Sequence, residues 1–306
     1  MRDDGAVVEV WRSQSVWSQV ASRAKRSIGR ARSAALALMV IGSGLAALAA
    51  AADARQGVGR LSALGAAVAI GLLPVLRPFW TGPALRDWTR CRSVSEALKS
   101  EVYLCLAGAG GYGEENDAVL LRGRTDAVLR DAADLLPRTI GLVPRDRPLP
   151  AVDGPGSYFR LRVTEQIDGY YLPRSRMLAV RLRTFRTAEL ALALAGVALA
   201  AVAVTYPGSG LGGWIAVITT VTAALAAHTA AARYDYQLVE FLRTATELSR
   251  LRRDSMAGTA SPPELRALVE RSERVISIQN EGWMAKLSAV AIHPEQADGS
   301  ADDKQP

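Results

Sequence analysis

Residues 34–52 read AALALMVIGSGLAALAAAA, nineteen positions without a charge. A helix rises about 1.5 Å per residue, so this block spans roughly 28 Å, close to the hydrocarbon thickness of a bilayer. Arg23, Lys25, Arg26, Arg30 and Arg32 precede it, and Asp53, Arg55 and Arg60 follow it. An uncharged run of that length between charged flanks predicts a transmembrane helix.

Three more blocks have the same character. Residues 61–76 end at Arg77 and Pro78, with Phe79 and Trp80 placed to reach an interfacial aromatic belt. Residues 190–206 read LALALAGVALAAVAVTY, and an uncharged turn, Pro207-Gly208-Ser209-Gly210, separates them from residues 211–232, which end at Arg233. Trp214 and Tyr206 fall near one expected interface and Tyr234 near the other. The fold class predicted is all-α and integral to the membrane: two tandem two-transmembrane hairpins, four spans in all, with long amphipathic, coiled-coil-like helices outside the bilayer.

Basic residues set the expected orientation. Arg77, Arg86, Arg90 and Arg92 follow the second span; Arg174, Arg176, Arg181, Arg183 and Arg186 precede the third; the turn between the third and fourth holds no charge. The positive-inside rule then puts both termini and the middle of the chain in the cytosol. Little of the chain is left for the opposite side, which argues against a receptor for external ligands. The net charge of +7 is an arginine signature clustered beside the apolar blocks, so it points to lipid headgroups and away from nucleic acid. Cys91 and Cys105 are expected as reduced thiols, and with only His228 and His293 beside them they make no structural zinc site.

The chain divides into a first hairpin unit at 1–136, a Pro- and Gly-rich linker at 137–156 (Pro144, Pro148, Pro150 and Pro155 within it), a second hairpin unit at 157–293, and a polar tail at 294–306 expected to be disordered. The two units resemble each other at an offset of 151–154 residues: Arg92-Ser93-Val94-Ser95-Glu96 aligns with Arg243-Thr244-Ala245-Thr246-Glu247, and Gln14 and Trp17 align loosely with Gln166 and Tyr170. Both hairpins start and end on one side, so this is a parallel duplication, unlike the inverted repeats common in secondary transporters. After each hairpin comes a helix with an apolar stripe at steps of three and four: Ala84, Trp88, Cys91, Ser95, Leu98, Val102 and Cys105 in the first, and Leu238, Phe241, Ala245 and Leu248 in the second. The stripes suit packing between the halves and equally a bundle shared between subunits.

Within the spans, small residues recur every four positions. Gly42, Ala46 and Ala50 form one row; Ala67 with Gly71, Gly196 with Ala200, and Ala223 with Ala227 and Ala231 form others. Such rows let helix backbones approach closely, and they make a homo-oligomer the expected state. Thr219, Thr222 and Thr229, with His228 beside them, are the candidate pore-lining residues of the fourth span. The competing reading has each threonine hydroxyl bonded to its own helix.

Gly108-Ala109-Gly110-Gly111-Tyr112-Gly113 matches G-x-G-x-x-G by letter, but it continues a helical stripe and has no surrounding strand–helix units, so it reads as a helix stop and loop. No nucleophile, base and orienting carboxylate fall together, and the chain is expected to be neither an enzyme nor a binder of metal or cofactor.

The helix Trp88-x-x-x-Arg92-x-x-Ser95-Glu96-Ala97-Leu98-Lys99-Ser100-Glu101-Val102-Tyr103-Leu104, ending in a Gly111-Tyr112 loop after a two-span hairpin, resembles the SLATT domains, the two-transmembrane effectors associated with SMODS and SLOG proteins. The second half, with Tyr158, Arg162, Gln166, Tyr170 and Tyr171, resembles another version of the domain, although its helix keeps Thr246-Glu247-Leu248 and has no clear match to Lys99 and Glu101. The resemblance implies a multi-pass protein of the bacterial plasma membrane, acting in a conflict system. There a nucleotide-sensing or nucleotide-producing partner triggers it, and it disrupts the membrane as an oligomeric pore. The alternative kept beside this is a non-conducting scaffold that docks a cytosolic partner through its coiled-coil helices.

Overall fold

The computed structural model describes residues 4–52, 57–113, 115–206 and 211–292, and the described residues contain helices and connections but no strand. The turns within the two hairpins, residues 53–56 and 207–210, His293 and the tail at 294–306 lie outside them.

The N-terminal basic segment and the first apolar block form one uninterrupted helix, α1 (Asp4–Ala51), 48 residues long. Helix α2 (Gly57–Gly71) carries most of the second apolar block and is separated by one residue, Leu72, from a one-turn helix, α3 (Leu73–Leu76). The reason is Pro74, which lacks an amide hydrogen and crowds the carbonyl four residues back. A 3₁₀ turn at Arg77–Phe79 then leads to α4 (Gly82–Ala107). Helix α5 (Asp117–Asp131) returns beside α4, followed by a 3₁₀ segment, Ala133–Thr139.

Residues 140–154 contain no helix, as their prolines require. From α6 (Pro155–Tyr158) the chain passes through two stretches of wider π-type turns, Phe159–Val163 and Glu165–Tyr171, directly into α7 (Leu172–Thr205). Helix α8 (Gly212–Ala232) holds the fourth block and ends at Arg233, whose φ of +47° is left-handed and breaks the run before α9 (Tyr234–Met256). Helix α10 (Pro262–Ile292) starts with a capping box: the Ser261 backbone N–H donates to Glu264 Oε2 at 2.7 Å, and two prolines occupy the first turn, where their missing N–H groups are not needed.

Four helical stretches are long and apolar enough to cross a membrane, one containing each apolar block. At most 22% of any of their apolar windows is buried within the chain, and 0% of the third. That is the behaviour of surface whose solvent is lipid.

The chain forms two compact units. The first comprises residues 1–26, 82–175 and 239–306; the second comprises 27–81 and 176–238 and contains the four apolar blocks. The compact units do not follow the two halves of the sequence. Each half sends one hairpin into the second unit and contributes its remaining helices to the first, where α4 of the first half packs on α10 of the second and on α5.

Candidate functional site

The first unit is organised around α4. Its face Leu85, Trp88, Cys91, Val94, Ser95, Leu98, Val102 and Cys105 is buried, and Phe241, Ala245, Leu248 and Leu251 of α9 are buried in the same unit. The stripes at steps of three and four are therefore consumed by packing inside the chain. Ala84, the first position expected on the α4 stripe, is only half-buried, and Leu85 takes the core place.

Inside this apolar frame lies a buried ion pair. Arg162, on the first π-type stretch, donates from Nε to Glu273 Oε1 of α10 at 3.0 Å and from Nη2 to Oε2 at 3.4 Å, and the Tyr158 hydroxyl donates to the same Oε1 at 2.9 Å. The Arg162 and Glu273 side chains are only 2% and 3% exposed. Burial works against the Arg162 charge, but the Glu273 carboxylate outweighs it and holds the guanidinium above its usual value. Desolvation and the same carboxylate push the Tyr158 phenol well up. The guanidinium also lies 4.4 Å above the Tyr103 ring, which meets Trp11 edge-on at 6.2 Å and Tyr158 at 6.3 Å. Glu273, Trp11 and Arg147 were missed in the sequence; no spacing links them, because they come from α10, the start of α1 and the proline-rich segment.

That segment is strapped along α1. The Arg145 backbone N–H donates to Ser15 Oγ at 2.9 Å, Trp11 Nε1 donates to the Pro148 carbonyl at 3.1 Å, and the Arg147 guanidinium stacks 3.9 Å over the Trp11 ring. Arg147 also donates to Gln14 Oε1, and Gln14 Nε2 donates to Ser95 Oγ at 3.0 Å. Lys99 is half-buried beside this group; desolvation, aided by Arg162, lowers its ammonium pKa to about 8.

The structure brings most of the motif residues together. Arg92 pairs with Glu96 at 3.6 Å and donates to the Tyr170 hydroxyl at 3.1 Å, so the first-half helix is tied directly to the second half. Tyr170 is covered by Arg174 at 4.2 Å and packs on Phe241. Glu101 accepts from the Tyr112 hydroxyl at 2.6 Å and pairs with Arg124 at 3.4 Å. Glu247 stands apart, paired with Arg271 on the surface, and Gln166 is half-buried.

The glycine loop is a helix stop. Gly108, Gly110, Gly111 and Gly113 all have positive φ, the Ala109 N–H closes on the Leu104 carbonyl, and the Gly110 N–H is taken by Glu270 at 2.8 Å. It follows a helix, and its open amides face carboxylates, the reverse of a phosphate cradle.

Of the span residues, Gly42 approaches α2 closely: a Cβ there would lie 3.1 Å from Ile70 and 3.3 Å from Ala69. Gly196 is as close to Ile218 of α8, with Ala200 half-buried one turn on. Ala46, Ala50, Gly71, Ala223 and Ala227 face outward from the single chain, and the neighbouring positions Ala47, Ala66, Ala69 and Ala224 are buried instead. The side chain of Ala231 lies outside the described residues. Thr219 and Thr222 donate to their own helix carbonyls at 2.9 and 2.8 Å, and Thr229 does so to Ala226 at 2.9 Å while reaching Glu189 at 3.4 Å. His228 lies 5.8 Å from the Phe185 ring.

A cavity of about 230 Å³ opens between α4, α5 and α10, walled on its polar side by Glu96, Asp131, Glu273 and the hydroxyls of Ser93, Ser100 and Ser277. Two of these carboxylates, Glu96 and Glu273, are already paired with Arg92 and Arg162. Among the described residues no group of three or more His, Cys, Asp or Glu side chains could hold a metal ion.

Two apolar helical hairpins that leave and re-enter one polar helical unit define a four-span α-helical membrane protein. Residues 158–283 match the family model of SMODS and SLOG-associating 2TM effector domain 1, and residues 15–119 match a protein family of unknown function, DUF4231, a related two-transmembrane domain. The second half of the chain therefore carries a SMODS- and SLOG-associating two-transmembrane effector domain, and the first half a related two-transmembrane domain. No curated protein and no solved structure shows significant similarity to it.

Proposed function

We propose that this protein is a membrane effector of a bacterial nucleotide-linked conflict system, one that forms an oligomeric pore when its polar unit, placed in the cytosol, is triggered. The family carries the effector role. The observation that favours a switchable assembly over a passive anchor is the buried Arg162–Glu273 pair at the root of α7, with Glu273 on α10 also accepting from Tyr158. A buried ion pair is a poor source of stability beside apolar packing but a discrete, breakable contact. The outward small-residue rows at Ala46, Ala50, Ala223 and Ala227 offer surfaces for neighbouring copies, and the stripe of Thr219, Thr222, His228 and Thr229 is the pore-lining candidate.

The trigger enters through a partner. The Gly110 and Gly113 amides of the glycine loop are taken by Glu270 and Asp117, so a nucleotide-sensing or nucleotide-producing protein fits better than direct nucleotide binding there. The scaffold alternative loses its surface, since the stripes expected to dock a partner are buried in the chain itself, Leu98 fully so. The test is induced co-expression with the genes adjacent to this one in cells carrying a potential-sensitive dye. Collapse of the membrane potential is expected. Retained potential with the protein inserted at the same level refutes the pore.

A further inference from the structure

The segment between Asp134 and Asp146 reads LLPRTIGLVPR, eleven residues with two arginines and no carboxylate. Three of its apolar side chains are uncovered: Leu136 at 47%, Ile140 at 79% and Val143 at 78% exposure. Isolated exposed apolar residues are ordinary on a protein surface; three within eight residues of one ordered turn are not.

The turn is built, not loose. Leu142 N–H bonds the Thr139 carbonyl at 3.1 Å, Ile140 has φ −57° and ψ 134°, and Gly141 has φ +74°. This is a type II turn with glycine at the position that requires a positive φ, and it puts Ile140 at the outer corner. Both arms are pinned. On the outgoing arm Arg90 binds Asp134 at 2.6 Å and Arg138 binds Asp87, so the arm advances toward the start of α4. On the returning arm the Val143 carbonyl accepts from Gln19 at 2.9 Å, the Arg145 N–H donates to Ser15, and the Pro148 carbonyl accepts from Trp11, so this arm retreats toward the start of α1.

The start of α4 is the end through which the chain arrives from the second apolar block, and the later part of α1 is the end through which it departs for the first. The apex therefore lies at the end of the first unit from which the covalent chain enters the spans. Asp87 stands five residues into α4, and the 3₁₀ turn that closes the second apolar stretch ends at Phe79.

We propose that residues 136–143 are a membrane-surface foot, with Ile140, Val143 and Leu136 inserted among lipid headgroups and the exposed Arg145 beside them facing anionic phosphates. An apolar tip beside a basic residue is the chemistry of interfacial anchoring. It fixes the polar unit against the bilayer at a point outside the spans, between the two hairpins in sequence. This rests on the reading that the four apolar blocks cross a bilayer.

The test uses the full chain in phosphatidylcholine–phosphatidylglycerol vesicles, with an environment-sensitive fluorophore at Ile140→Cys; the buried native cysteines keep labelling selective. Val68→Cys in the second span is the lipid reference, and Val119→Cys on α5, 68% exposed, is the water reference. Brominated acyl chains are expected to quench the Ile140 probe to at least half the extent of the Val68 probe, with aqueous iodide quenching it less than the Val119 probe. An Ile140 probe that behaves like Val119 overturns the foot while the spans stand. Emission shifted to the blue without bromine quenching means that another protein surface covers the turn, and overturns it equally. A Val68 probe untouched by brominated lipid removes the spans and the foot together.

Discussion

Replacing Glu273 by Gln tests the centre of the polar unit. The side chain is 3% exposed, and its partner Arg162 is 2% exposed with its charge held above its usual value. A base with a raised folded-state pKa contributes its stabilisation at every pH below the unfolded value, which for arginine covers the whole accessible range. In the Gln variant the guanidinium is therefore still charged, still buried and no longer neutralised. Removing one partner of such a pair costs about 3–5 kcal/mol, whereas replacing both by apolar residues of similar volume is near neutral or stabilising. Glu273→Gln and Arg162→Met should each lower the unfolding free energy by about 3 kcal/mol or more. The double variant Arg162→Met with Glu273→Leu should cost much less than the sum of the singles. The assay is guanidinium unfolding of the full chain in lipid nanodiscs, followed by the fluorescence of the buried Trp11, Trp17 and Trp88. A Glu273→Gln cost under about 1 kcal/mol, or additive single and double variants, would refute the argument that the pair is desolvated and coupled.

Lys99 should work the other way with pH. Its lowered folded-state value, about 8 against 10.5, means the unfolded chain binds more protons between those limits, so stability rises from pH 8 toward 10 and then falls as unfolded tyrosines ionise ahead of Tyr158; Lys99→Met should flatten the rise and add about 1–3 kcal/mol at pH 7 in the same unfolding assay. Cys91, whose thiol burial pushes to about 11, should alkylate at pH 8 at least about 100-fold more slowly than a free thiol, read by mass spectrometry on native and denatured protein. Gly42→Leu should destabilise the first hairpin, because a Cβ alone already meets Ile70 at 3.1 Å, while Ala46→Leu should leave a monomer unchanged and weaken only an oligomer, measured by crosslinking in vesicles.

The spans were legible because a bilayer imposes one simple demand, an uncharged run of sufficient length, and residues 34–52 and 190–206 meet it on composition alone. Pro74 and Arg233, which break the exits of the two hairpins, were legible only in part: a proline marks its own kink, but nothing in an arginine announces a left-handed backbone. The π-type turns from Phe159 to Tyr171 had no sequence signal, since they add one residue per turn without changing which residues are apolar. Arg162 entered through the family motif, while its partner lies 111 residues away on a helix with an ordinary amphipathic pattern. The prolines argued against a helix in this segment, but composition could not show that Ser15, Gln14 and Trp11 hold it in place, because those contacts use a backbone N–H, a guanidinium and a backbone carbonyl.

The two halves meet in one core and enter and leave it in the same pattern. Gln14 bonds Ser95, Arg92 bonds Tyr170, and Glu273 bonds Arg162, so α1, α4, the π-type stretch and α10 share one set of polar contacts. Two of the helices that leave this core run into an apolar block without a break: α1 from Asp4 to Ala51, and the helical chain from Pro155 to Thr205. The other two connections are interrupted, by Pro74 with the 3₁₀ turn after it, and by Arg233. A continuous helix carries a rotation or an axial shift along its length, whereas a break absorbs it. Each hairpin thus has one span in a helical stretch that runs on from the core and one that is set off from it by a break.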